Sequence, residues 1–241
     1  MEQGQQFHPR NFAPAQRDFQ AALAADPSGP TATQALDALV DLAIAAHQLG
    51  EAASFLARRA QLESDARLAS RHLFRAAQLC VGNDEARALQ LTQSSAQRDP
   101  SFAPARAELG RRRASAKEFH AAWIEAEAAL EPSATDPDAL SAEAQSTLLR
   151  EATGWAEQAT DLNAAVRLAG RFLASRPEDL EIRRRLVVTL RTLTDLPALA
   201  DALEQLEGRL QGAEATEVAR ERARLLEASL NRPEASAKAW Q

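Results

Sequence analysis

Arginine carries almost all of the positive charge in this chain: of 28 lysines and arginines, only Lys117 and Lys238 are lysine. Two runs stand out, Arg111-Arg112-Arg113 and Arg183-Arg184-Arg185. A guanidinium is planar, stays charged at any ordinary pH and presents paired N–H donors, so the chemistry these runs offer is recognition of carboxylates. Arg184 and Arg191 stand seven residues apart and share a face if the segment is helical. Covalent chemistry is poorly provided for. Cys80 is alone, which rules out an internal disulfide and a cysteine-built metal site, and its apolar surroundings predict a small buried hydrophobe. His8, His47, His72 and His120 are scattered, and neither Glu125 nor Glu127 stands three or four residues from His120, so no metal pair forms on one helical face. There is no P-loop, G-x-G-x-x-G or H-E-x-x-H, and nothing singles out a nucleophile with its base. No active site, metal or cofactor is expected in this segment.

The elements that must position these arginines read as helices. The chain has 241 residues, 45% of them hydrophobic, and alanine supplies roughly a fifth of it, which favours helix and close helix approach. Nine glycines and eleven prolines sit almost wholly at junctions, and no alternating strand pattern appears. Pro14 suits the first turn of a helix ending near Pro27, and Pro27-Ser28-Gly29-Pro30 is the clearest break. Leu36, Leu39, Leu42 and Ala46 recur at helical spacing up to Gly50, read as a C′ glycine, and a helix follows from Glu51 to Leu62. Ser64 or Asp65 caps the next helix, and Asn83 or Asp84 the one after Gly82. Asp99-Pro100, Asp136-Pro137 and Pro177-Glu178-Asp179 open three further hairpins, and turns near Thr160, Thr194, Gly208 and Asn231 complete about thirteen helices.

A pattern runs through them. Ala15, Phe19, Ala22, Leu23 and Pro27 return in weaker form from Ala53, Ala88, Ala122, Ala165 and Leu199, in steps of 38, 35, 34, 43 and 34 residues. Such a period is a helix pair that buries its apolar face only by stacking on its neighbours. Small residues persist at Ala57 and Ala60, Thr92 and Ser95, and Ala126 and Ala129, while the aromatic and the proline fade and return at Phe172 and Pro177. Leu109-Gly110 stands thirteen residues before Ala122. On these positions the chain resembles the tetratricopeptide repeat family with degenerate repeats. There is no tyrosine, and Arg113 sits where the family usually has an aromatic. The resemblance implies an all-α fold, a right-handed superhelical α-solenoid of stacked antiparallel helix pairs. Residues 1–241 read as one array of about six hairpins. It starts on a second helix and stops at Trp240-Gln241 inside another hairpin, the pattern of a fragment.

The resemblance also implies function. In such arrays the first helix of each pair lines a concave groove, and carrying the Leu-Gly register forward places Arg111, Arg150, Arg184 and Arg191 on that surface. The expected activity is binding: a protein-interaction scaffold holding a peptide or partner helix, with an acidic or carboxylate-ended peptide as the sharper version and a larger assembly as the setting. The competing reading has these arginines pair with nearby glutamates and only solubilise the surface. The chaperone-tail carboxylate clamp is disfavoured, because its lysine and asparagine pairs are missing and Asn11, Asn83, Asn163 and Asn231 lie at predicted turns. The second functional class is a regulatory or substrate-presenting arm of a larger enzyme or sensor. A net charge of −6 and a pI near 5.4 argue against nucleic acid. No window supports membrane insertion or a signal peptide, so a cytoplasmic chain is expected, with any signal or anchor lying outside the fragment. Trp123 and Trp155 are expected to fill seams between hairpins. The 43-residue step leaves nine residues beyond the neighbouring 34 between Glu131 and Ser146. If they join the following helix, it lengthens by about 13 Å and forms a ledge.

Overall fold

The computed structural model describes residues 12–131 and 136–228. Among the described residues there are twelve helices and no strand: α1 (Phe12–Ala25), α2 (Pro30–Ala45), α3 (Leu49–Leu62), α4 (Ala66–Cys80), α5 (Glu85–Arg98), α6 (Ala103–Ser115), α7 (Phe119–Ala129), α8 (Ala142–Gln158), α9 (Leu162–Ser175), α10 (Leu180–Leu193), α11 (Leu196–Glu207) and α12 (Gly212–Ala228). The chain divides into two compact units, Met1–Arg112 with Glu131–Ala139, and Arg113–Leu130 with Leu140–Gln241. In the first unit each of α1 to α5 packs on the next in sequence, and in the second α7 to α12 do the same. This nearest-neighbour packing of short antiparallel pairs is how a repeat array buries what a single hairpin cannot. The thirteenth expected helix, beyond Asn231, lies outside the described residues, as do His8 and Trp240.

Each pair turns through one residue in the left-handed region. His47, Gly82, Lys117, Thr160 and Thr194, with φ of 58°, 80°, 64°, 58° and 56°, join α2–α3, α4–α5, α6–α7, α8–α9 and α10–α11. In four of these turns the next residue's N–H reaches back five positions: Gln48 to the Ala43 carbonyl, Glu118 to Arg113, Asp161 to Ala156 and Asp195 to Leu190. These bonds satisfy carbonyls that the helix end would orphan. The same residue then starts the second helix, where Asp161 and Asp195 accept from the N–H of Ala164 and Ala198; after Gly82 that place falls one residue later, to Asp84, which accepts from Arg87. His47 therefore closes α2, and Gly50, expected at its C′ position, lies in the first turn of α3. Asp65 is the cap of α4, accepting from Arg67 and Leu68.

The repeat positions are the seams. Ala53, Ala88 and Ala122 are fully buried, and Ala165 and Leu199 nearly so. Four and seven residues on, Thr92 and Ser95, Ala126 and Ala129, Phe172, Leu203 and Leu206 are buried too. Small side chains here let paired helices close up, and between α4 and α5 the approach is close enough for Ser70 and Ser95 to bond each other. Ser70 Oγ donates to the Ser95 carbonyl at 3.0 Å and Ser95 Oγ to the Ser70 carbonyl at 2.8 Å. Both serines are fully buried, and these bonds repay their desolvation. Cys80 is buried in the α3–α5 core, which pushes its thiol pKa up and leaves it a packing residue. Arg113, standing where the family has an aromatic, forms an ion pair at 3.4 Å with the buried Glu125 of α7.

The 43-residue step resolves differently from the ledge expected. α8 begins only at Ala142, capped by Ser141, so Asp136-Pro137 does not open a helix and residues 136–141 stand outside it. The reason is long-range: Asp136 and Asp138 are held by arginines 67 to 71 positions earlier.

Candidate functional site

Three of the four expected arginines lie on first helices of the second unit. Arg150 projects from α8 and pairs with Glu181 of α10, with Asp179 at 3.5 Å. Arg184 and Arg191 of α10 reach Glu214 and Glu221 of α12, both at 2.7 Å. Each guanidinium thus bridges to the next first helix, giving a ladder α8–α10–α12. All three arginine side chains remain 45–50% exposed. At that exposure an ion pair contributes about 0 to 1 kcal/mol, so a ligand carboxylate can replace the resident glutamate at little cost. Arg111 lies half-buried on α6 in the first unit.

Beside the ladder is a shallow cleft of about 370 Å³ lined by Glu157, Leu162, Arg184, Arg185, Val188, Thr189 and Thr192. Val188 is among the exposed large hydrophobic residues, and it supplies an apolar contact next to the Arg184 charge. Arg185 is spoken for: it forks onto Glu157 of α8, with Nη2 at 2.6 Å. Gly154 makes way for it, since a Cβ there would stand 3.3 Å from that Nη2. The neighbouring Arg183 turns inward to the Pro177 carbonyl and Gln205, and burial pulls its pKa down. The three consecutive arginines therefore have three different jobs.

A second basic site was missed in the sequence. On α4, Arg67, Arg71 and Arg75 fall at successive fours, a stripe along one face of a helix that has no acidic residue. Arg71 meets Asp138 bidentately, Nη2 to Oδ1 at 2.6 Å and Nε to Oδ2 at 3.2 Å. Arg67 bonds both Asp138 and Asp136. The Asp136 carboxylate also accepts from the Asp138 N–H at 2.8 Å, a turn that sets both acids on one side. That backbone bond is the main reason the Asp136 pKa lies below the ordinary aspartate range, with Arg67 adding to it. For Asp138 burial pushes upward, but hydrogen bonds from Arg71 and Arg67 outweigh it and its pKa too is lowered. The fourfold arginine spacing was the available signal; its acidic partner lay too far along the chain to be paired with it.

Trp123 of α7 is buried, with the Arg167 guanidinium of α9 5.8 Å from its ring centre and His120 edge-on at 5.5 Å. Trp155 is half-buried on α8. Among the described residues no group of three or more His, Cys, Asp or Glu is placed to hold a metal ion. In the same residues no helix is long and apolar enough to cross a membrane.

Five hairpins each closed through a left-handed residue, four of them by the same turn, and small residues buried at the repeat interval, decide the architecture. The chain is a tetratricopeptide-like helical repeat. Its sequence matches no protein-family model and no curated protein. Among solved structures it is similar to YrrB, described as a tetratricopeptide repeat protein with an unusual peptide-binding site, at 12% identity and TM-score 0.49 over 91% of this chain and 97% of that one. A MamA structure aligns at 11% identity and TM-score 0.48 over 84% of this chain and 96% of that one. The C-terminal part of a repeat protein from Cytophaga hutchinsonii aligns at 13% and 0.47 over 95% and 89%.

Proposed function

We propose that this tetratricopeptide-like chain is a protein-interaction scaffold that holds a peptide or partner helix along the first helices of its pairs. Arg150, Arg184 and Arg191 serve as carboxylate contacts in the second unit, and Arg111 has the same role in the first. The observation that carries this reading is the ladder itself: half-exposed guanidiniums in weak, replaceable pairs beside an apolar cleft at Val188. A ligand carboxylate exchanges with Glu214 or Glu221 while an apolar side chain settles against Val188. Such binding gives specificity through register, because the Arg184 and Arg191 spacing accepts acids about two helical turns apart.

The test uses a fluorescein-labelled decaglutamate and the full chain, with binding read by fluorescence polarisation. Arg184→Glu with Arg191→Glu is expected to weaken binding, and rising salt to weaken it further, because exposed pairs are screened over about 8 Å at physiological ionic strength. Arg171→Glu on α9, a second helix of the same unit, is the control and is expected to change little. Equal loss from both would mean a diffuse field, and no loss from either would leave the ladder as surface solubilisation alone.

A further inference from the structure

The contact between α4 and the connector has the form of a bound ligand. Two acids two residues apart, Asp136 and Asp138, face two guanidiniums one helical turn apart, and the acid turn is prearranged by its own backbone bond. The segment that supplies the acids is the nine-residue excess over the repeat period, so the array closes its pairs without it at every other step. The arginines keep 33% and 41% of their side chains exposed, whereas Asp138 keeps 12%. The acid is the inserted party and the arginines form the receiving surface. Arg75, exposed one turn further along the stripe, continues that surface past the two arginines that the connector holds.

We propose that Arg67 and Arg71, extended by Arg75, form a docking site for an acidic partner segment with two carboxylates two residues apart, occupied in cis by Asp136 and Asp138 as an internal competitor. The site is separate from the ladder of α8, α10 and α12 and does not depend on it. A tethered segment acts at an effective concentration on the order of millimolar, so the resident acids lower the apparent affinity for any partner by the fraction of time the site is filled. A partner gains access by binding more tightly than the tract or by drawing the connector away. Binding at this helix is thereby gated by the chain's own sequence.

The experiment uses the full chain and a fluorescein-labelled peptide reproducing residues 131–140, with fluorescence polarisation as readout. Asp136→Asn with Asp138→Asn is expected to bind the probe at least tenfold more tightly than the unsubstituted chain. Adding Arg67→Gln and Arg71→Gln to that variant removes the gain, while adding Arg184→Glu and Arg191→Glu leaves it. Pro137→Gly, which keeps both carboxylates but loosens the turn that presents them, gives a smaller gain in the same direction and stands in if the double variant melts early. No gain in either variant, with the helical signal at 222 nm retained, overturns the proposal. A gain that survives loss of Arg67 and Arg71 overturns it equally.

Discussion

Replacing Thr160 by glycine should stabilise the second unit, although glycine placed inside a helix destabilises. Thr160 holds φ at 58°, where its branched Cβ crowds the neighbouring backbone. An L-residue in the left-handed region costs about 1 to 2 kcal/mol. Glycine avoids that strain but loses more backbone entropy on folding, about 0.5 to 1 kcal/mol. The hydroxyl bonds only the adjacent Ala159 carbonyl, at an exposed site where water replaces it, so its loss adds almost nothing. The expected net gain is about 0.5 to 1 kcal/mol, a shift on the order of 2 to 3 °C for a chain of this size. Gly82 is the reverse case: at φ 80° a Cβ meets nothing within 4 Å, so the cost of Gly82→Ala, about 1 kcal/mol, is purely conformational. Urea denaturation followed at 222 nm measures both. Thr160→Gly that destabilises would refute the argument, because the turn would then owe its shape to the threonine.

Ala122, fully buried at the repeat position of α7, should not tolerate a larger side chain. Ala122→Leu is expected to cost about 1 to 3 kcal/mol in a thermal melt, and a change near zero would displace the register. Ser95→Ala leaves the Ser70 hydroxyl with only its bond to the Ser95 carbonyl and should cost about 1 kcal/mol, read by the same melt. The connector contact should depend on pH in one direction. The folded pKa values of Asp136 and Asp138 are depressed, so their contribution is complete above the ordinary aspartate value, about 3.9, and drains away as pH falls through the lowered ones. Nuclear magnetic resonance titration of the two carboxyl carbons checks this, and midpoints at or above the ordinary value would contradict it.

What the sequence by itself determined is what local and periodic physics controls. A small residue at each repeat step, from Ala53 to Ala165, can recur only if two helices cross closely there, so the helix pairs and their seams were legible from spacing alone. Asp65, Asp84 and Asp161 cap through bonds two or three residues away, within reach of a sequence reading. The left-handed turns were not, because Lys117 and Thr160 have no intrinsic preference for positive φ and His47 only a weak one; the geometry of the hairpin imposes it, and Gly50 was a false signal for that reason. Arg59 shows the same limit in charge. It keeps only 15% of its side chain exposed and pairs with Asp37 and Glu63, whereas Arg171 keeps 41%, so Arg171 is the cleaner control for charge reversal. Only the tertiary structure decided which arginines have which acids. Arg184 and Arg191 reach α12 about thirty residues on, and Arg67 and Arg71 find Asp136 and Asp138 far later in the chain. An ion pair depends on distance in space, and a chain's spacing reports that distance only within an element, where the helix fixes it.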